Sequence, residues 1–261
     1  MVHETIFMIS QTGEKVSIFK ILKIQKYCIL NLINSTYFCS PDLIVQGVLG
    51  SSNMNQQVKE LFRHIHAVVL GPGLGRNSQG SVEVILSELA EKNIPLVLDA
   101  DGLYYLPSLL HIVKNIKNCI ITPNIMEFKR LQEFLKLNST RDPVADVDSL
   151  SKELGVTVLL KGEKDIISNG EAHVVCDIPG SLRRCGGQGD ILSGALGIFY
   201  HWTLSGGTGE IPASLCAGAA ASALTKTCSN LAFSKHRRSM TTSDMLECLP
   251  QAFQALFKDK N

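Results

Sequence analysis

From about Leu43 onward the chain alternates short, β-branched apolar runs with stretches of helical periodicity, and this alternation restricts the fold more than any other feature. The runs Leu43–Val48, Ala67–Leu70, Pro95–Asp99, Cys119–Thr122 and Val156–Leu160 are bounded by Gly, Pro or Asn and read as buried parallel strands. In Ser81–Ala90, the residues Val82, Ile85, Leu86 and Leu89 fall on one helical face, with Glu83, Glu88 and Glu91 expected on the wet one. Ile125–Leu135 and Val147–Leu154 repeat that scheme. Parallel neighbours need a crossover that a helix normally supplies, so the expected fold is a layered α/β sheet. After Asp165 the pattern changes: Ile166–Asn169 and Ala172–Cys176 flank Gly170-Glu171 as an antiparallel hairpin. Three helices should follow, over Gln188–His201, the alanine-rich Ile211–Ser229, and Thr242–Phe257 behind a Thr/Ser/Asp cap.

With 261 residues, one large α/β domain accounts for this pattern, and no linker, repeat or heptad seam argues for more. Lys plus Arg number 25 against 24 Asp plus Glu, a balance that offers no footprint for nucleic acid or an anionic membrane. Ile18–Ile33 is apolar, but Lys20, Lys23 and Lys26 interrupt it, which argues against a membrane span. Glu4 and Glu14 before that run, with no clean cleavage site after it, argue against a secretory signal, while an organelle-targeting role stays open. The eight cysteines form no C-x-x-C pair and read as reduced, intracellular thiols. Residues 1–40 lack turn grammar and are set apart as an atypical segment, leaving 41–261 as the domain.

The strongest chemical signal is Arg184-Cys185-Gly186-Gly187-Gln188-Gly189-Asp190-Ile191-Leu192-Ser193-Gly194, a glycine-rich loop running into an apolar helix. Without side chains the backbone can approach a phosphate closely, and the N–H groups of the helix start point at its oxygens. Asp190 makes sense there as the base for a hydroxyl that attacks a nucleotide's γ-phosphate; an Asp closing a flexible turn is the bland alternative. The loop lacks the Gly-Lys-Ser/Thr ending of a P-loop. A second cluster, Gly71-Pro72-Gly73-Leu74-Gly75-Arg76, ends an apolar strand, where it either lines a ligand crevice or simply makes a tight turn. Further strand ends carry Asp99 and Asp101, Asn124 and Glu127, and Lys161. Each alone is explained as a cap or solvated turn, but all should fall on one edge of the sheet.

These runs, in this order, resemble the ribokinase-like superfamily and, within it, the ATP-dependent NAD(P)H-hydrate dehydratases. The matching stretches are Val69–Arg76, Leu98–Leu103, Thr122-Pro123-Asn124-x-x-Glu127-Phe128, Lys161–Asp165 and Arg183–Asp190, spread over roughly residues 40–257. The resemblance implies a three-layer sandwich with a mostly parallel central sheet, and an intracellular repair enzyme, cytoplasmic or mitochondrial, compatible with a homo-oligomer. Such a lyase would return hydrated NADH or NADPH to the working cofactor while cleaving ATP, with Mg²⁺ present. It implies Asp190 as the base. On the ATP side it places Lys161, Gly162, Glu163, Lys164 and Asp165, with Gly186, Gly187, Gln188, Gly189, Ile191, Leu192, Ser193 and Gly194. Toward the hydrate it places Gly73, Asn124, Ile125, Met126, Glu127, Phe128, Lys129, Arg130 and Asp190, with Glu127 also ordering Mg²⁺ through water. A vitamin or sugar kinase of the same fold, or a catalytically impaired nucleotide-binding variant, is the alternative. Residues 1–38 show neither the family's opening glycine-rich turn nor its Tyr-Thr-Gly-Ala-Pro-like segment. Hydrate binding is therefore expected to suffer more than ATP binding.

Overall fold

The structure, a computed structural model, describes residues 5–9, 25–29, 43–46, 49 and 51–257. In chain order the elements are β1 (Thr5–Ile9), β2 (Gln25–Ile29), β3 (Leu43–Gln46), α1 (Met54–Leu61), β4 (Ala67–Leu70), α2 (Gln79–Lys92) and β5 (Leu96–Leu98). There follow α3 (Asp101–Val113), β6 (Cys119–Ile121), α4 (Ile125–Phe134), α5 (Pro143–Leu154), β7 (Thr157–Leu160), β8 (Asp165–Ser168) and β9 (His173–Cys176). The chain closes with α6 (Gln188–Gly206), α7 (Ala213–His236), a 3₁₀ turn at Arg237–Ser239, and α8 (Thr242–Leu256).

Among the described residues, nine strands form one sheet in the order β3-β2-β1-β4-β5-β6-β7-β8-β9. Every pairing from β3 across to β7 is parallel, and the β7–β8 and β8–β9 pairings are antiparallel. The strand order reverses between β1 and β4, the kind of switch point at which open α/β sheets leave a crevice beyond their carboxyl ends. The stretch before residue 40, which offered no turn grammar, thus contributes two strands. β1 lies inside the sheet, with Ile6 opposite Ala67 and Ile9 opposite Leu70 on β4.

The period-two alternation of the strands sorts side chains into two cores. Val68, Leu70, Leu96, Leu98, Ile121, Val158 and Leu160 point into one, with residues from α1 to α5. Ala67, Val69, Val97, Ile120, Leu159 and Ile167 point into the other, against α6, α7 and α8. Both faces are covered, which is why the central strands read as continuous apolar runs. Small residues let α7 approach the sheet closely, since a Cβ on Gly218 would stand 2.7 Å from Cγ2 of Ile167.

Local signals set most boundaries. Asp142 accepts from Val144 N and Pro143 opens α5, while Gly155 closes it at φ 69°. Thr241 and Asp244 form a reciprocal capping box on α8. The hairpin β8–β9 forms as expected, its turn held by Asn169 Oδ1 accepting from Glu171 N and Ala172 N. One surface assignment is corrected: Glu88 is buried rather than wet, because α1 covers it and Lys59 reaches it at 3.3 Å. Among the described residues Cys119, Cys176, Cys185, Cys216, Cys228 and Cys248 are free. No helix among the described residues is long and apolar enough to cross a membrane.

Candidate functional site

The sheet delivers its polar strand ends to one edge. β4 stops at Gly71, whose φ of 130° and lack of a side chain let the backbone of the β5–α3 turn lie against it; a Cβ there would sit 1.8 Å from the Asp99 carbonyl oxygen. Asp99, 2% exposed, follows β5, and its Oδ1 accepts from Ala100 N at 2.9 Å. Ala100 holds φ 48° and ψ −119°, a conformation that costs a non-glycine residue on the order of 1–3 kcal/mol. The parallel ladder of β6 and β7 continues for one more bridge, Asn124 to Lys161, which sets those two residues side by side. Lys161 Nζ then donates to Asp99 Oδ1 at 2.7 Å and stands 4.0 Å from Glu127 Oε2.

The glycine loop closes this edge from the other layer. Gly187, at φ 91°, is the residue before α6, and the Thr242 hydroxyl donates to the carbonyl of Gly186 behind it. Gln188 Nε2 donates to the Arg183 carbonyl at 3.2 Å, so its side chain turns back on the loop. The first-turn amides of a helix have no acceptor within it, and the first turn of α6 lies beside Lys161. The approach is close: a Cβ on Gly189 would lie 3.7 Å from Asp99 Oδ2 and 3.9 Å from Lys161 Nζ. Asp190 follows immediately, in the first turn of α6 and 9% exposed.

Between these parts lies a cleft of about 280 Å³, lined by Asn124, Ile125, Lys161, Gly162, Gln188, Gly189 and Leu192, and on its far wall by Thr225 and Lys226. A second cavity of about 310 Å³ opens beyond Glu127, between α3 and α4. Arg76, Tyr104 and Arg130 line it, with the Arg76 guanidinium 4.8 Å above the Tyr104 ring. The Gly71–Arg76 turn is fixed beside it, since Gly75 N donates to Asp101 Oδ2 at 2.8 Å and Tyr105 donates to the Gly75 carbonyl.

The expected site residues separate into those that meet a cavity and those that hold the fold. Ile125, Met126, Lys129 and Arg130 are exposed on α4, and Gly73 is half-buried on the β4 turn. Asn124 and Glu127 are adjacent as expected, but they also form a capping box: Asn124 Oδ1 accepts from Met126 N and Glu127 N, and Glu127 Oε2 accepts from Asn124 N. Phe128, expected toward the hydrate, instead lies in the core, because its place on α4 faces the sheet. Ile191, Ser193 and Gly194, expected toward ATP, are likewise buried inside α6, and only Leu192 of that run reaches the cleft. Glu163 and Lys164 are exposed, whereas Asp165 is buried and accepts from Gly162 N at 2.8 Å.

Lys226 was not singled out from the sequence. Its Nζ donates to the carbonyls of Gly162 and Glu163 at 3.1 and 2.7 Å and lies 3.5 Å from Asp165 Oδ1, so it clamps the whole 162–165 turn. The available signal was a lone cation inside the alanine-rich apolar helix, a position where an unpaired charge is costly.

The family model for NAD(P)H-hydrate dehydratase matches residues 20–251. The chain belongs to the NAD(P)H-hydrate dehydratase family. It is 43% identical over 231 residues to the human ATP-dependent (S)-NAD(P)H-hydrate dehydratase, a match covering 84% of this chain and 65% of the human one. It spans about two thirds of the length of such curated relatives. A ribokinase-like superfamily protein from Enterococcus faecalis superposes with TM-score 0.73 at 17% identity, over 96% of this chain and 87% of the other. The ADP/ATP-dependent NAD(P)H-hydrate dehydratase from Bacillus subtilis, co-crystallised with ATP/Mg²⁺, superposes with TM-score 0.67 at 17% identity, over 96% and 89%. The fold is therefore ribokinase-like, and the curated relatives are lyases rather than vitamin or sugar kinases.

Among the described residues no group of three or more His, Cys, Asp or Glu could hold a metal ion. A Mg²⁺ ion carried in on nucleotide phosphates would keep most of its waters and take one or two carboxylates. Glu127 fits such a role, because the capping box engages only its Oε2.

Proposed function

We propose that this chain returns hydrated NADH and NADPH to the reduced cofactor while cleaving ATP to ADP and phosphate. The observation that carries the reading is the buried Asp190 carboxylate in the first turn of α6, behind a glycine loop that opens on the same cleft as Lys161 and Asn124. The triphosphate enters along Gly162 and the 186–189 loop. The first-turn amides of α6 receive the charge that develops on the transferring phosphoryl group. Asn124, Glu127, Arg130 and the cavity under Tyr104 face the hydrate.

Hydroxide is a poor leaving group, and phosphate is a good one. Asp190 takes the proton of the ring hydroxyl as its oxygen forms a bond to the γ-phosphorus and the bond to ADP breaks. The neighbouring ring nitrogen then expels phosphate with its lone pair. Loss of a proton from the adjacent ring carbon restores the dihydropyridine. Mg²⁺ bound with ATP, its waters held by Glu127, would offset phosphate charge. The free thiols fit a reducing compartment, in line with a cytoplasmic or mitochondrial setting.

The test is to incubate the protein with ATP, Mg²⁺ and hydrated NADH and to follow the absorbance of reduced nicotinamide together with ADP release. Recovered absorbance in step with ADP is expected. A stable phosphorylated product without recovered cofactor would instead make this chain a kinase, and ATP binding without turnover would make it an impaired variant.

A further inference from the structure

Asp99 holds no place in the reaction as described above, yet it is the most deeply buried acid at the sheet edge. Only 2% of its side chain is exposed, against 22% for its partner Lys161. That asymmetry is informative. A carboxylate so dry is stabilised only by its partners, and here Oδ1 accepts both the Lys161 ammonium at 2.7 Å and the Ala100 amide at 2.9 Å. These two donors together fix Asp99 Oδ1 at one point. Ala100 itself is held at positive φ, in the turn that opens α3.

The ammonium of Lys161 carries three hydrogens, and Asp99 takes one. Among the described residues its only other ionic neighbour is Glu127 Oε2, at 4.0 Å, beyond hydrogen-bonding reach. Lys161 also lines the cleft, together with Gly162, Gln188 and Gly189. At Gly189 a side chain would begin to fill the space in front of both charges, since its Cβ would come within 3.7 Å of Asp99 and 3.9 Å of Lys161.

The geometry points to Asp99 as a positioning residue that aims Lys161 at the transferring phosphoryl group, opposite the first-turn amides of α6. The inference rests on the proposed function for the identity of the acceptor, but not for the phosphoryl group itself. Lys161 and the α6 amides then form two walls of one anion site. Asp99 acts only through Lys161, by holding the ammonium where charge builds up on the phosphoryl oxygens.

The experiment measures kcat, KM for ATP and the affinity for ADP with Mg²⁺ and aluminium fluoride, a stand-in for the phosphoryl group in flight. The proteins are the wild type, Asp99→Asn, Lys161→Met and the double variant. Asp99→Asn should lower kcat about 10- to 100-fold while KM for ATP stays within about threefold, since a displacement of about 1 Å at such a site costs on this order. It should weaken the aluminium fluoride complex by a similar factor relative to ADP alone. Added to Lys161→Met, it should lower neither quantity further. If the two substitutions multiply, or if Asp99→Asn leaves the aluminium fluoride complex as tight as before, the assignment is overturned. Should Asp99→Asn not fold, Asp99→Glu keeps the charge and shifts the ammonium by one methylene. The same loss is then expected, and wild-type kcat and aluminium fluoride affinity would refute the idea. A wild-type protein that discriminates the aluminium fluoride complex but leaves hydrated NADH unchanged would sink the proposed acceptor and leave the pairing standing.

Discussion

Removing the Lys226 ammonium should reveal how much of the nucleotide turn depends on one buried cation. Its side chain is 10% exposed and that of Asp165 8%, so Lys226→Met leaves a nearly dry carboxylate whose nearest cation is gone. Breaking such a pair from one side costs about 3–5 kcal/mol. Two facts favour the lower end: Asp165 keeps its bond from Gly162 N, and Gly162 and Glu163 lie near enough to solvent for their freed carbonyls to find water. We take about 3 kcal/mol. For a domain of this size, at about 2–4 °C per kcal/mol, the melting temperature should fall by roughly 6–12 °C. Lys226→Met/Asp165→Asn removes the stranded charge as well and should recover at least about half of that loss. KM for ATP should rise in the single variant, because the Lys161–Asp165 turn lines the cleft. Thermal melting by circular dichroism and an ATP titration measure both effects. A loss below about 1 kcal/mol, or a double variant as unstable as the sum of the singles, would show that the clamp does not hold the turn.

Asp190→Asn should abolish turnover while ATP affinity, measured by calorimetry, changes within a few fold, since the base is lost and the amide site survives; collapse of binding with turnover intact would make Asp190 structural. Gly71→Ala should cost at least about 3 kcal/mol or prevent folding, because its Cβ meets the Asp99 backbone, whereas Gly80→Ala, with nothing within 4 Å, should stabilise by about 0.5–1 kcal/mol. Equal melting temperatures for those two variants would contradict the packing described here. Burial pushes the Asp146 carboxyl up, but hydrogen bonds from Thr140, Ser139 and Gln132 outweigh it and hold the group below the usual carboxylate range. Its stabilisation is then complete above the ordinary carboxylate pKa and lost as pH falls through the lowered folded value, so Asp146→Asn should flatten the acid limb of melting temperature against pH below about 4. An unchanged slope would rule this out. Burial raises the Cys119 and Cys228 thiols to about 12, so neither should react with a thiol reagent in the native protein, and labelling at either before Cys185 would refute their placement.

Much of the layout could be read along the chain. The apolar runs at Ala67–Leu70, Cys119–Ile121 and Thr157–Leu160 are strands because fully covered parallel strands must be apolar on both faces, and that composition is visible without coordinates. The glycine loop before Asp190 and the polar strand ends were legible for a similar reason, as each is a local departure from core chemistry. The roles of individual neighbours were less legible. Phe128 and Ser193 sit inside sequence motifs yet face the core, since a helix turns consecutive residues through all directions while a motif is read as a line. The strands at Thr5–Ile9 and Gln25–Ile29 carry few turn residues, and it is their pairing with Ala67–Leu70 and Leu43–Gln46 that identifies them.

The sequence by itself determined the fold class through periodicity and turn residues, and it showed the glycine loop before Asp190 and the family resemblance through motifs that are contiguous along the chain. Tertiary structure alone decided that Asp99 grips Lys161 across 62 residues and that Lys226 reaches the 162–165 turn from 64 and 63 residues away. Pairings at that separation depend on how strand ends and helices stack, and a linear pattern carries no record of which polar groups the stacking brings together.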